Sequence, residues 1–448
     1  MSVNLDTRAY TGNRVLLPSS QVPQPATILV SAKTGKITRV YEERHVRTSF
    51  PDIADGHWVD TGDKYLLPGL VDAHVHLNEP GRTDWEGFWS GTRAAASGGV
   101  TTVVDMPLNS IPPTTTVEHL AVKRSAAREQ CWTDVAFWGG VIPGNQDQLS
   151  NLVDAGVKGF KCFMIESGVE EFPCVSESDL RLAMSALKDT SSVLLFHAEV
   201  DDHSAPALPG DPTQYSTFLK SRPENFEVDA ISRIINLQKE YPALRCHIVH
   251  LSAAHALPII RSAKAAGQKL TIETCFHYLC LASDTIPDSR PEYKCCPPIR
   301  DAVNREALWA ALLDGTIDYV VSDHSPGDIM GAWGGISTLG FGLSLLWTEG
   351  RKRNIPIGTI LQWTSTKTAD HAGLGDRKGK FAAGYDADFI IWDQTFVTKE
   401  SLQFKNKLTP YEGLALFGRV EQTILRGKPI YNGIQGVFEG LEPSGVLL

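Results

Sequence analysis

Between residues 70 and 326 the chain alternates short apolar runs with longer amphipathic or alanine-rich stretches, the rhythm of strands and helices in turn. Eight runs read as strands: LVDAHVH (70–76), VTTVVDMP (100–107), DVAFWGGV (134–141), GFKCFM (159–164), VLLFHAE (193–199), RCHIVHL (245–251), LTIETC (270–275) and YVVSDHSP (319–326). Helical patterning between them is clear over 179–188, 228–240 and 254–266. Eight parallel strands separated by helices predict an α/β fold, a (β/α)8 TIM barrel of roughly 250 residues. A doubly wound open sheet is the alternative, weakened because no glycine-rich dinucleotide fingerprint follows any strand.

The pattern changes on both sides of this region. Residues 26–40, 384–393 and 420–431 alternate apolar and polar side chains around glycine-containing turns, a mark of antiparallel β-structure. The economical arrangement is a small β-sandwich-like domain built jointly by residues 1–66 and 381–448, with the barrel, residues 67–380, inserted between them.

At 448 residues the chain has room for a large barrel and an accessory module. Hydrophobic residues at 42% and charged residues at 21% exclude a disordered, collagen-like or coiled-coil chain. Lys plus Arg number 42 against 52 Asp plus Glu, a net charge of -10. That balance speaks against a nucleic-acid or anionic-membrane partner, since both require clustered positive charge. The eight cysteines contain no CxxC pair and read as reduced thiols rather than a disulfide framework. With no apolar run long enough to span a membrane and no apolar leader at the start, a cytoplasmic location is expected.

Chemistry enters at the ends of the apolar runs. In Asp72-Ala73-His74-Val75-His76, residues two apart share one face of a strand, so His74 and His76 can present two imidazoles to one point. Alone, such a pair also describes two ordinary polar histidines at a strand end. His197, His250 and Asp323 change that reading, because they end the fifth, sixth and eighth strands on the face where barrel enzymes place their chemistry. Without a shared partner these groups would be buried in the barrel mouth at a cost of kilocalories each.

Lys161 lies in mid-strand, where a charge is expensive unless it is removed or paired. It could snorkel to the rim or pair with an acid. The sharper reading is carboxylation by carbon dioxide to N6-carboxylysine, which turns a buried cation into a carbamate anion able to bridge two metal ions. The ligand set then closes with His74, His76 and Asp323 on one divalent ion, His197 and His250 on the other, and the Lys161 carbamate and a water shared. Nitrogen and oxygen ligands without cysteine suit zinc and tolerate cobalt, manganese or iron. Two such ions acidify a shared water and polarise a carbonyl, and Asp323 can take the water's proton and pass it to a leaving nitrogen. Most other histidines read as structural, while His277 and His324 could equally orient the ligands. The adjacent Cys295 and Cys296 lack metal spacing and read as a loop near the mouth.

These residues resemble those of the amidohydrolase superfamily, in particular its cyclic-amide group of dihydroorotases, hydantoinases, dihydropyrimidinases and allantoinases. The ligand order His, His, Lys, His, His, Asp matches that group, and the likeness over 68–116, 159–173, 221–231 and 293–326 extends through the flanking β segments. It is closest to the allantoinases. Asn78 stands where similar dihydroorotases carry an arginine for a ring carboxylate, so a neutral ring such as that of allantoin is the better fit. The resemblance implies hydrolysis of the ring amide of allantoin to allantoate. A hydantoinase or dihydropyrimidinase is the alternative, and a metal-free binding or scaffold protein is disfavoured by the intact ligand positions. A homo-oligomer is also implied, tetramers being common in the group. Asn109, Cys296 and Ser325 are the expected substrate contacts. There are two departures: Phe276 replaces the proline of TCPHYL, and the segment 325–333 is shorter than its counterpart, which bears on substrate preference and water exclusion.

Overall fold

The first five strands are β1 (Thr7–Val15), β2 (Gln24–Ser31), β3 (Ile37–Tyr41), β4 (Trp58–Asp60) and β5 (Tyr65–Pro68). The barrel follows with β6 (Leu70–Val75), β7 (Val100–Asp105), β8 (Asp134–Phe137), β9 (Gly139–Gly140), β10 (Phe160–Phe163), β11 (Val193–His197), β12 (Arg245–Ile248), β13 (Leu270–Cys275) and β14 (Tyr319–Val321). Strands β15 (Phe389–Val397), β16 (Leu416–Leu425) and β17 (Lys428–Asn432) return to the first sheet. This computed structural model describes residues 6–201, 210–326, 334–397, 408–433 and 438–448.

The barrel strands pair in parallel in the orders β6-β7-β8 and β9-β10-β11-β12-β13-β14. The ring closes where Val75 bridges His324 and the His76 amide donates to the His324 carbonyl at 2.8 Å. Every residue of β6, β7, β8, β10 and β11 is buried, which is why these runs do not alternate apolar with solvent-facing polar residues, and why the few ionisable groups within them, such as His74 and Lys161, stand out. The third stave is split at Trp138, whose indole N–H donates to the Ala73 carbonyl at 2.8 Å. A Cβ at Gly139 would fall 2.8 Å from the Phe160 ring, so the close approach to β10 requires glycine there. Each covering helix buries one stripe. In Glu177–Leu187 that stripe is Leu180, Ala183, Met184 and Leu187, and a capping box from Ser176 and Asp179 starts this helix ahead of the predicted residue 179.

Both chain ends build one sheet in the order β17-β16-β15-β5-β1-β2-β3, with β4 also on β1. Arg8 and Tyr10 of β1 donate to the Gly427 carbonyl, in the turn between β16 and β17, at 2.9 and 3.1 Å. These strands are not neighbours in the sheet, so the sheet folds back over its own core of Tyr10, Ile28, Leu66, Phe389 and Ile424. The sandwich-like arrangement follows from that closure. Where barrel and sheet meet, buried Lys378 lies 2.5 Å from Asp134, 2.9 Å from Asp386 and 2.7 Å from Asp388. The end of the chain reaches back to the barrel, with the Val446 amide on Asp134 at 2.9 Å and Leu447 bridging Val135. Among the described residues no helix is long and apolar enough to cross a membrane.

Candidate metal centre and its pocket

His74 lies in β6 and His76 just past it; Lys161 lies in β10, His197 ends β11, and His250 and Asp323 each stand two residues past β12 and β14. His74, His76 and Asp323 hold their ligand atoms within 4.8 Å of one another. Asp323 Oδ1 is 3.2 Å from His74 Nε2 and 3.3 Å from His76 Nε2. The His250 ring stands 5.4 Å from that of His74 and 4.6 Å from that of His197. The Lys161 amine sits 5.0 Å over the Phe163 ring. All six line one pocket at the C-terminal face of the barrel. His250 and Asp323 have φ of 40° and 44°, left-handed conformations that cost a non-glycine residue roughly 1–3 kcal/mol and gather at functional sites.

The donor set fits a divalent cation. His74 Nε2 and His250 Nδ1 are buried without a hydrogen-bond partner, and burial pushes both imidazoles well down, leaving them neutral with a lone pair to offer. Burial opposes the charge of Asp323, but the His76 hydrogen bond and the surrounding imidazoles hold it well below the usual carboxylate range. Burial lowers Lys161 to about 8 against the pull of Asp323 and Glu273, which enlarges the fraction present as free amine.

Second nitrogens orient the rings. His74 Nδ1 faces Glu273 Oε1 at 2.5 Å, and the same carboxyl accepts from the His250 amide at 3.2 Å and meets His247 Nε2 at 3.1 Å. His76 Nδ1 is 3.4 Å from the Asn109 side-chain amide. His197 Nε2 pairs with Glu199 at 2.7 Å, and its ring stacks on Phe163 at 4.5 Å. Glu273 therefore ties two imidazole positions together. Glu273→Gln is expected to weaken metal affinity or kcat/KM about 10 to 100-fold with the fold retained, a loss that metal titration and steady-state kinetics would read.

Sequence reasoning misses Glu273, Glu199 and Arg222. The signal for Glu273 was available, because a carboxylate in the middle of LTIETC meets the same burial cost that singles out Lys161. Of the two histidines left open, His277 is buried beside Cys275 and Asp323 with both ring nitrogens unpartnered, and burial lowers it to about 4. His324 is engaged instead by Glu86 at 3.1 Å and by the Thr338 and Leu339 amides.

The pocket encloses about 740 Å³ with its open mouth. Asn109, Cys296 and Ser325 all line it, together with Trp85, Leu108 and Arg222. Arg82 steadies Asn109 by donating to its carbonyl at 2.8 Å. Asn78 is buried away from this lining, with neither end of its amide partnered among the described residues. Phe276 packs against Gly342, where a Cβ would fall 2.4 Å from the ring, so the exchange of proline for phenylalanine is matched by a glycine opposite. Of the short segment after Asp323, residues 327–333 lie outside the described residues, and Gly334 and Gly335 line the pocket where the chain returns.

A closed barrel carrying this donor set at its C-terminal mouth defines the amidohydrolase class, and the chain belongs to the amidohydrolase family, whose model matches residues 65–430. It is 45% identical to the allantoinase of Saccharomyces cerevisiae over 96% of each chain. It is 52% identical to the mitochondrial allantoinase of Aquarana catesbeiana over 76% of this chain and 72% of that one. Among solved structures it superposes on the L-hydantoinase (dihydropyrimidinase) from Arthrobacter aurescens with a TM-score of 0.86 at 28% identity, covering 97% of this chain and 98% of that one.

Proposed function

We propose that the protein hydrolyses the ring amide of allantoin to allantoate, serving purine catabolism and nitrogen assimilation. The observation that carries this reading is the convergence of His74, His76, Lys161, His197, His250 and Asp323 in one pocket, in a chain with full-length allantoinase relatives.

His74, His76 and Asp323 would hold one divalent ion and His197 and His250 a second, with Lys161, carboxylated on Nζ, shared by both. Bound ions would supply Lewis acidity, acidifying a water and polarising the ring carbonyl. Zinc is the cation best matched to these nitrogen and oxygen donors, with cobalt, manganese and iron compatible. In the reaction a C–O bond forms at the ring carbonyl, the ring C–N bond breaks, and one proton must pass from water to the leaving nitrogen. Asp323 is the carrier of that proton, an ionised carboxylate at the pocket floor. Asn109, the peptide groups at Cys296, and Ser325 orient the ring through hydrogen bonds. We place the enzyme in the cytoplasm as a homotetramer, with its barrel over residues 67–380 between the two parts of the β domain, 1–66 and 381–448, on the pattern of the chain and the group it resembles.

The test offers zinc-loaded protein each allantoin enantiomer, hydantoin, dihydrouracil and dihydroorotate. Strong preference for allantoin is expected. Preference for hydantoin or dihydrouracil would favour the second reading, a hydantoinase or dihydropyrimidinase, for which the likeness to the Arthrobacter enzyme speaks.

A further inference from the structure

Arg222 has no part in the hydrolysis outlined above, yet its side chain lines the same pocket. It stands just past the helix Tyr215–Ser221, between that helix and Pro223. Its Nη1 donates to Glu199 Oε2 at 2.5 Å, and that oxygen also bonds His197 Nε2 at 2.7 Å, which fixes the guanidinium on the His197 side of the pocket. The backbone is held as well, since the Arg222 carbonyl accepts from Arg300 at 3.0 Å and Arg300 pairs with buried Glu227 at 3.2 Å.

A guanidinium carries five N–H donors in a planar fork. Among the described residues, Nε and Nη2 of Arg222 make no hydrogen bond, and the side chain remains 19% exposed. A cation anchored on one edge and open on the other is a receptor for a planar oxygen acceptor. Topology places that receptor opposite the groups expected to hold the ring. Asn109 follows β7 and Ser325 follows β14, both next to β6, whereas Glu199 follows β11 on the far side of the closed barrel. A ring held at Asn109 and Ser325 would point a substituent across the pocket towards the guanidinium.

We propose that Arg222 is a specificity-determining residue, whose guanidinium takes the carbonyl oxygen of the ureido arm that distinguishes allantoin from hydantoin. This rests on the allantoin reading of the site. Removing the arginine alone strands Glu199 beside His197, so three variants are needed: Arg222→Lys, Arg222→Met, and Arg222→Met combined with Glu199→Gln. For each, the KM and kcat for allantoin, the inhibition constant of hydantoin against allantoin turnover, and the metal content are measured. The expected result is a loss of about 10 to 1,000-fold in kcat/KM for allantoin, carried mainly by KM, as a site that loses a polar contact to its substrate should show. Hydantoin inhibition should stay within about twofold, because the bare ring lacks the arm, and metal content should hold in Arg222→Lys, where Glu199 keeps a cationic partner beside His197. Parallel weakening of hydantoin, or falling metal content in all three variants, would assign Arg222 to supporting His197 and overturn the proposal. An unchanged allantoin KM with weaker inhibition by allantoate would move the contact to the product carboxylate and overturn it equally. Failure of the parent protein to turn over allantoin would reject the substrate reading itself, a result separate from any difference among the variants.

Discussion

Protein with Lys161 replaced by alanine is expected to fold, to lose its metal and to hydrolyse allantoin at least about 10³-fold more slowly, because several kcal/mol of transition-state stabilisation leave with the ions. Lys161 is 1% exposed in the middle of β10, and among the described residues its amine makes neither a hydrogen bond nor an ion pair. A cation left unpaired at such depth costs several kcal/mol. Carboxylation would remove that charge conflict and add two oxygen ligands. A short carboxylic acid such as acetate, small enough for the space the side chain leaves, should restore part of the metal content and rate. A misfolded variant would not respond. Normal turnover with full metal in Lys161→Ala would refute the carbamate.

The second large effect is expected for Asp323→Asn, which keeps the shape of the side chain and removes its ability to take a proton. The rate should fall about 10² to 10⁴-fold, the range for loss of a positioned general acid and base. Because the group acts on the proton in flight, the loss should sit in kcat, with KM for allantoin changed by no more than about threefold. Metal analysis on the same sample separates this from a ligand defect. A variant that keeps its metal and its rate would show that another group carries the proton, His277 beside Asp323 being the candidate outside the proposed ligand set.

The barrel was legible because its strands are buried on both faces, so each announces itself as a short, mainly apolar run without solvent-facing alternation. The split of the third stave was not, since Trp138-Gly139-Gly140 reads as more of the same run until Phe160 is seen against the glycine. Nor was β1, whose Thr11 and Asn13 look like loop residues; Thr11 is buried and satisfied by the Thr27 hydroxyl at 2.8 Å, a partner sixteen residues away. The return of the chain end to β8 has no periodicity to betray it, because it is a short stretch, Gly445 to Leu448, held by a few backbone hydrogen bonds to Cys131 and Val135 and by the Val446 amide on Asp134.

Within the site, the residues proposed as ligands stood out because ionisable groups recur at strand ends. The groups that orient them divide into two kinds. Glu273 obeyed the same burial logic as Lys161 and could have been found by it. Arg222 follows a surface-like helix and declares itself only when the fold carries it to the pocket lining.

The most direct measurement is a titration of metal-depleted protein with zinc while allantoate release is followed. Activity that rises from near zero and levels at about two ions per chain is the predicted result. Full turnover without metal, or two ions bound with no allantoin hydrolysis, would contradict it.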